Sequence, residues 1–98
     1  MFDKMKALIE MQKKMQELKR ELENMDFEIT SFDNLLKIKM NGAQEVKEVN
    51  FLGDLSAMEK TNLEKTIKDT YNRAIKRSQD LAAEKMKGVT GLNLPGLT

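Results

Sequence analysis

Lysine and arginine are the residues of this chain whose spacing could do chemistry on a partner. Lys6, Lys13 and Arg20 recur every seven residues, and Lys65, Lys76 and Lys87 every eleven, with Arg73 beside the second row and Lys85 close to its end. On a helix either spacing returns a side chain to nearly the same face. Each row then forms a stripe of positive charge able to neutralise a polyanion such as a phosphate backbone. Asp69 and Asp80 interrupt the second row, and outward bases on a helix are equally the ordinary solvated surface of a soluble protein.

Other chemistry finds little to work with. The 98 residues include no cysteine and no histidine, which removes Cys/His zinc sites, reactive thiols and imidazole-based triads. Carboxylates such as Glu17 and Glu21 stand at i,i+4 on a helix and mark no cleft. The glycines at 42, 53, 88, 91 and 96 are scattered, and none forms a phosphate-binding loop. With no Trp, one Tyr and four Phe, base stacking has few platforms, and Phe27 and Phe51 fall at expected core positions. The expectation is a binding protein, not an enzyme, with no cofactor, no metal and no small-molecule substrate.

Charge is distributed unevenly although the net value is only +1. Residues 1–25 sum to +1, residues 26–55 to −3 and the remainder to +3, so the middle is acidic and the last third basic. The lack of cysteine fits a reducing cytoplasm. No run approaches the ~18 apolar residues of a membrane span, and the opening Met1-Phe2-Asp3-Lys4-Met5-Lys6 leads into a charged helix instead of a signal-peptide core.

The elements that must position these bases follow from periodicity. From Asp3 to Asn24 there is no Gly or Pro and only Ile9 is β-branched, while Leu8, Met11, Met15, Leu18, Leu22 and Met25 recur in steps of three and four. That predicts a helix with a narrow heptad seam, placing Lys6, Lys13 and Arg20 on the opposite side. After Met25 the period becomes two: Phe27 and Ile29, then Leu36, Ile38 and Met40, then Val49 and Phe51 predict three short strands. Asp33-Asn34 marks the first turn and Asn41-Gly42 the second. Val46 is one residue out of phase, which predicts a bulge or a residue reaching around the sheet edge. Ser56-Ala57-Met58-Glu59 has capping-box spacing, and the helix it should open carries Leu63, Ile67, Tyr71, Ala74, Ser78, Leu81 and Ala82 on one side. Gly88 is expected to end that helix, with Lys85 and Lys87 in its last turn. The fold class is therefore α+β, a long helix, a three-stranded antiparallel meander and a second long helix (α-β-β-β-α), with residues 1–87 as a single domain and 88–98 as a flexible Gly/Pro-containing tail. Helices of this length cannot be packed along their whole extent by so small a sheet, so they should overhang as arms.

Laid out this way, the sequence resembles the YbaB/EbfC family of bacterial nucleoid-associated proteins over nearly the whole chain. The likeness rests on Met11-Gln12-Lys13-Lys14-Met15-Gln16-Glu17, on Met40-Asn41-Gly42 with Glu45-Val46-Lys47-Glu48-Val49, and on Tyr71-Asn72-Arg73-Ala74 with Gln79-Asp80-Leu81-Ala82-Ala83-Glu84-Lys85-Met86. The closing Val89-Thr90-Gly91-Leu92-Asn93-Leu94-Pro95-Gly96 resembles the family's tail. It departs at Ser31-Phe32-Asp33-Asn34, where members often carry a glycine-rich link. The resemblance implies a cytoplasmic, nucleoid setting and a homodimer joined through its β region, with projecting arms that grip or straddle duplex DNA. The expected DNA-binding residues are Lys6, Lys13, Arg20, Arg73, Lys76, Lys85 and Lys87, with phosphates neutralised and little base readout. The alternative is a prefoldin-like or other protein-binding coiled-coil module that does not bind nucleic acid.

Overall fold

A computed structural model describes residues 2–90, and the side chains of residues 3–88. The elements run α1 (Phe2–Glu23), β1 (Asp26–Thr30), β2 (Leu36–Asn41), β3 (Val46–Phe51), a single 3₁₀ turn (Leu55–Ala57) and α2 (Lys60–Thr90). This is the expected α-β-β-β-α order. The sheet is an antiparallel meander in the order β1-β2-β3.

Register places the alternating apolar residues on one face. Phe27 faces Met40 and Ile29 faces Ile38; on the other edge Leu36 faces Phe51, Ile38 faces Val49 and Met40 faces Val46. The ladder slips between Lys39 and Met40, so Lys47 is the extra residue of a bulge. That slip restores Val46 to the apolar face.

The core is a small layer between this face and α2. Leu36, Ile38, Met40 and Ala74 are buried, with Phe27, Ile29 and Ile75 packed around them. Ala74 is small enough to let the helix backbone approach β2 closely. Two polar residues close the lower end of this layer. The buried Ser78 hydroxyl donates to the Asn41 carbonyl at 2.9 Å and accepts from the Gln44 N–H at 3.0 Å. The fully buried Asn41 amide donates to the Glu23 carbonyl and the Glu45 carboxylate, while its oxygen accepts from the N–H groups of Ala43 and Glu45. One side chain thereby ties α1, β2 and the second turn together.

That turn works differently from an ordinary Asn-Gly reversal. The residue at left-handed φ is Gln44 (62°), whereas Gly42 is needed for space. Its N–H donates to the Leu22 carbonyl at 2.9 Å, and a Cβ there would stand 2.9 Å from Leu22 Cδ2 and 3.2 Å from the Leu22 oxygen.

Both ends of α2 differ from expectation. Ser56 does not cap it: its N–H and hydroxyl both donate to Asp54, at 3.0 and 2.6 Å, which commits the hydroxyl to the 3₁₀ turn. Met58 is then extended, and α2 begins at Lys60, with the Leu63 N–H donating to the Glu59 carbonyl. At the other end the helix runs through Gly88 to Thr90. A single glycine in a helix costs only about 1 kcal/mol relative to Ala, and no proline follows until Pro95. The tail expected at 88–98 therefore begins helical, and residues 91–98 lie outside those described.

The molecule is elongated, 66 × 23 × 17 Å with a radius of gyration of 18.3 Å, where a compact chain of this length would have about 13 Å. The helices are the reason. Leu18 and Leu22 are buried and Lys85 pairs with Glu21 at 3.4 Å, so α1 runs antiparallel to the last turns of α2. Both project beyond the sheet.

Candidate nucleic-acid interface

On α1 the arm begins from Leu18 and Leu22. Once these face α2, 3.6-residue geometry turns Lys6, Lys13 and Arg20 to the opposite side, and all three are exposed. On α2 the buried Thr70, Ala74 and Ser78 fix the inner face, and Lys65, Lys76 and Lys87 lie on the outer one, all exposed. The row from Lys65 to Lys87 runs for about 33 Å. Among the described residues none of these six bases forms an ion pair. Lys65, absent from the sequence-based candidates although it aligns with Lys76 and Lys87, belongs with them by exposure; Lys68 is also exposed.

Two expected bases are otherwise engaged. Lys85 is half-buried and paired with Glu21, where it joins the two helices of the arm. Arg73 points toward the sheet edge: its Nη1 donates to the Thr30 carbonyl at 3.1 Å, and its guanidinium stacks 3.9 Å from the Phe32 ring centroid. Arg73 sits near the middle of α2, about 21 Å along the axis from Lys87. The structure therefore does not bring the seven candidates into one patch. It sets Lys6, Lys13, Arg20, Lys76 and Lys87 along two outer helix faces, with Lys85 between the helices and Arg73 at the sheet edge.

The first hairpin explains how Arg73 is held. Asn34 takes the left-handed φ of 60° that a glycine-rich link would otherwise supply. Ser31 accepts from the N–H groups of Leu35 and Leu36 and donates to Asp33 at 2.6 Å. Asp33 also accepts from the Thr66 hydroxyl at 2.7 Å. The Ser31 and Thr66 hydroxyls hold its carboxyl below the usual carboxylate range, which locks the hairpin to α2 as an ionised acceptor. Phe32 is left 84 % exposed at the tip. An open cleft beside it, about 540 Å³, is lined by Ser31, Phe32, Leu35, Met58, Lys65 and Thr66 among others. No group of three His, Cys, Asp or Glu among the described residues could hold a metal ion. No helix among them is long and apolar enough to cross a membrane.

A feature that periodicity misses is an uncovered apolar face. α2 packs over β2 and β1, so Val46, Val49 and Phe51 of β3 share the core face yet remain exposed. Phe51 is not a core residue as expected. Ile67 and Tyr71, expected in the inner seam of α2, are exposed as well; Ile67 has the phase of the buried Ala74 and Ser78, so the lack of a covering element and not helix phase leaves it open. Their side of the helix is opposite to that of Arg73 and Thr66, which hold β1 and its turn. Strand alternation gives the face of β3, but only the lateral position of α2 decides whether it is covered.

A two-layer α+β unit with long basic helices defines a class that comparison makes specific. The chain belongs to the YbaB/EbfC DNA-binding family, which it matches over residues 1–93. It is 30% identical over 95 residues to a nucleoid-associated protein of Clostridium kluyveri, covering 95% of this chain and 83% of that one. It is 35% identical over 91 residues to a nucleoid-associated protein of Prochlorococcus marinus subsp. pastoris, covering 90% and 78%. The fold is also that of an uncharacterized protein from Helicobacter pylori, with a TM-score of 0.64 at 16% identity over 93% of this chain and 94% of the other.

Proposed function

We propose that this protein is a non-enzymatic, nucleoid-associated homodimer that binds duplex DNA through bases on its helical arms, with little base readout. The observation that carries the reading is the pair of outward rows, Lys6, Lys13 and Arg20 on α1 and Lys65, Lys76 and Lys87 on α2, exposed and without an ion pair among the described residues. Family membership and the names of its relatives support DNA as the polyanion and the bacterial cytosol and nucleoid as the setting. The exposed Val46, Val49, Phe51, Ile67 and Tyr71 support a second copy docking at the β region, since clustered exposed apolar side chains mark interaction surfaces.

A dimer doubles each basic row, so weak phosphate contacts add through effective concentration. The acidic sheet and near-neutral total charge limit affinity, which should be moderate and salt-sensitive. Fluorescence anisotropy of a labelled duplex across a potassium chloride series tests this. The logarithm of the binding constant should fall linearly with that of salt, and Lys76→Ala with Lys87→Ala should flatten the slope by about 0.9 for each phosphate no longer neutralised. No binding at low salt and micromolar dimer removes the reading.

The exposed Met5, Leu8, Met11 and Met15 of α1 favour a second reading, a prefoldin-like or coiled-coil module that captures apolar segments. Capture of such clients that is indifferent to salt, without a DNA shift, is its signature.

A further inference from the structure

The two basic rows of the arm point away from each other. On α1 the buried Leu18 and Leu22 mark the packed face, and helical geometry puts Lys6, Lys13 and Arg20 on the far side. On α2 the direction of α1 is marked by Lys85, whose ammonium lies 3.4 Å from the Glu21 carboxylate. Lys76, nine residues before it, and Lys87, two after, stand about 180° and about 200° round the helix from Lys85. Each row therefore faces outward from the helix pair, with both helices lying between the rows. Packed helices sit about 8–10 Å apart axis to axis, and a helix radius on each side sets the two basic faces about 20 Å apart.

A duplex resting on one of these faces curves away from the other and leaves its bases without phosphates. Both rows are long enough to act alone. Lys6 to Arg20 spans about 21 Å and Lys65 to Lys87 about 33 Å, against about 34 Å for one turn of B-form duplex. All six bases are exposed and none forms an ion pair among the described residues. Pairing two copies does not merge the rows. In a two-fold dimer a duplex gripped between the arms meets the same row on both, and the other row of each arm faces outside.

We propose that the protein bridges separate duplexes, with one held on the Lys6, Lys13 and Arg20 face and a second on the Lys65, Lys76 and Lys87 face. This rests on the reading that the rows bind duplex DNA and goes beyond it, because that reading needs only one duplex. Bridging requires both faces to be occupied and each releases its own counterions, so it falls more steeply with salt than the binding of a single duplex does.

A biotinylated duplex on streptavidin beads, a fluorescent duplex in solution and the whole chain at limiting concentration test the proposal at low salt. Two triple variants are compared with the wild type, Lys6→Ala/Lys13→Ala/Arg20→Ala and Lys65→Ala/Lys76→Ala/Lys87→Ala. Protein concentrations are adjusted by anisotropy to equal occupancy of a single duplex, which corrects for the weaker binding of each variant. The wild type should carry the fluorescent duplex to the beads, and each variant should carry about fivefold less or lower still. Duplex binding by the wild type without capture of the second duplex overturns bridging and leaves DNA binding intact. Capture by either variant equal to that of the wild type also overturns it, since one row on each of two arms then suffices. Loss of all single-duplex binding in both variants does so too, because both rows then serve one duplex. A wild type that binds no duplex removes the underlying reading and bridging with it.

Discussion

At the scale of single residues, close approach matters more than charge. Gly42 meets Leu22 so tightly that Gly42→Ala must push the first turn of the arm away, and a loss of about 1–3 kcal/mol in unfolding free energy by urea titration is expected. Ser78 satisfies two backbone groups from inside the core. Ser78→Ala leaves the Gln44 N–H and the Asn41 carbonyl without that partner and should cost about 1–3 kcal/mol. Asp33 contributes differently. Its folded pKa is depressed, so its hydrogen bonds stabilise the protein fully above the unfolded carboxylate value and are lost as pH falls through the folded one. Asp54, held down by the Ser56 hydroxyl and N–H, behaves the same way. The urea midpoint should therefore fall on acidification below about pH 4, and Asp33→Asn should remove part of that dependence while lowering the midpoint at neutral pH.

At the scale of elements, the question is which face each presents and to what. α2 packs mainly on β2 and β1, and leaves Val46, Val49 and Phe51 of β3 exposed. Enlarging the contact at its narrowest point, with Ala74→Leu, should overpack the layer and cost about 1–3 kcal/mol, read as a fall in the urea midpoint. The same helix sorts its bases: Arg73 is drawn to the β1 hairpin by Thr30 and Phe32, Lys85 to α1 by Glu21, and Lys65, Lys76 and Lys87 stay outward. Phase along a helix is legible from spacing, which is why the outer rows could be read from the sequence. The capture of Arg73 could not, because its partners lie about forty residues away and in a turn whose shape depends on Asn34 adopting a left-handed φ. Ser56 misled for the opposite reason. Asp54 caps a 3₁₀ turn that takes in Ser56, and with Met58 extended the serine lies too far upstream of Lys60 to cap α2.

At the scale of the whole molecule, the elongated unit leaves an apolar face on β3 bare and two helices overhanging, the features on which the proposed dimer rests. If Val46, Val49, Phe51, Ile67 and Tyr71 seat a second copy, Val49→Asp with Tyr71→Asp should shift sedimentation from dimer to monomer. Duplex affinity should then fall by more than tenfold at constant salt, because the advantage of linking two sets of arms disappears. A variant that sediments as the wild type does places the interface elsewhere.

The order of elements, the alternating faces of the strands, the break in phase at Val46 and the outward direction of the lysine rows were all determined by the sequence alone. Each is a local periodicity, and side-chain phase along a helix or strand is set by backbone geometry within a few residues. Where α2 lies across the sheet, how far it runs past Gly88, which apolar residues it leaves open and which bases it occupies were decided only in three dimensions. Those depend on contacts between segments far apart in the chain, where one close approach, Ala74 on β2 or Gly42 under Leu22, sets the position of an entire helix.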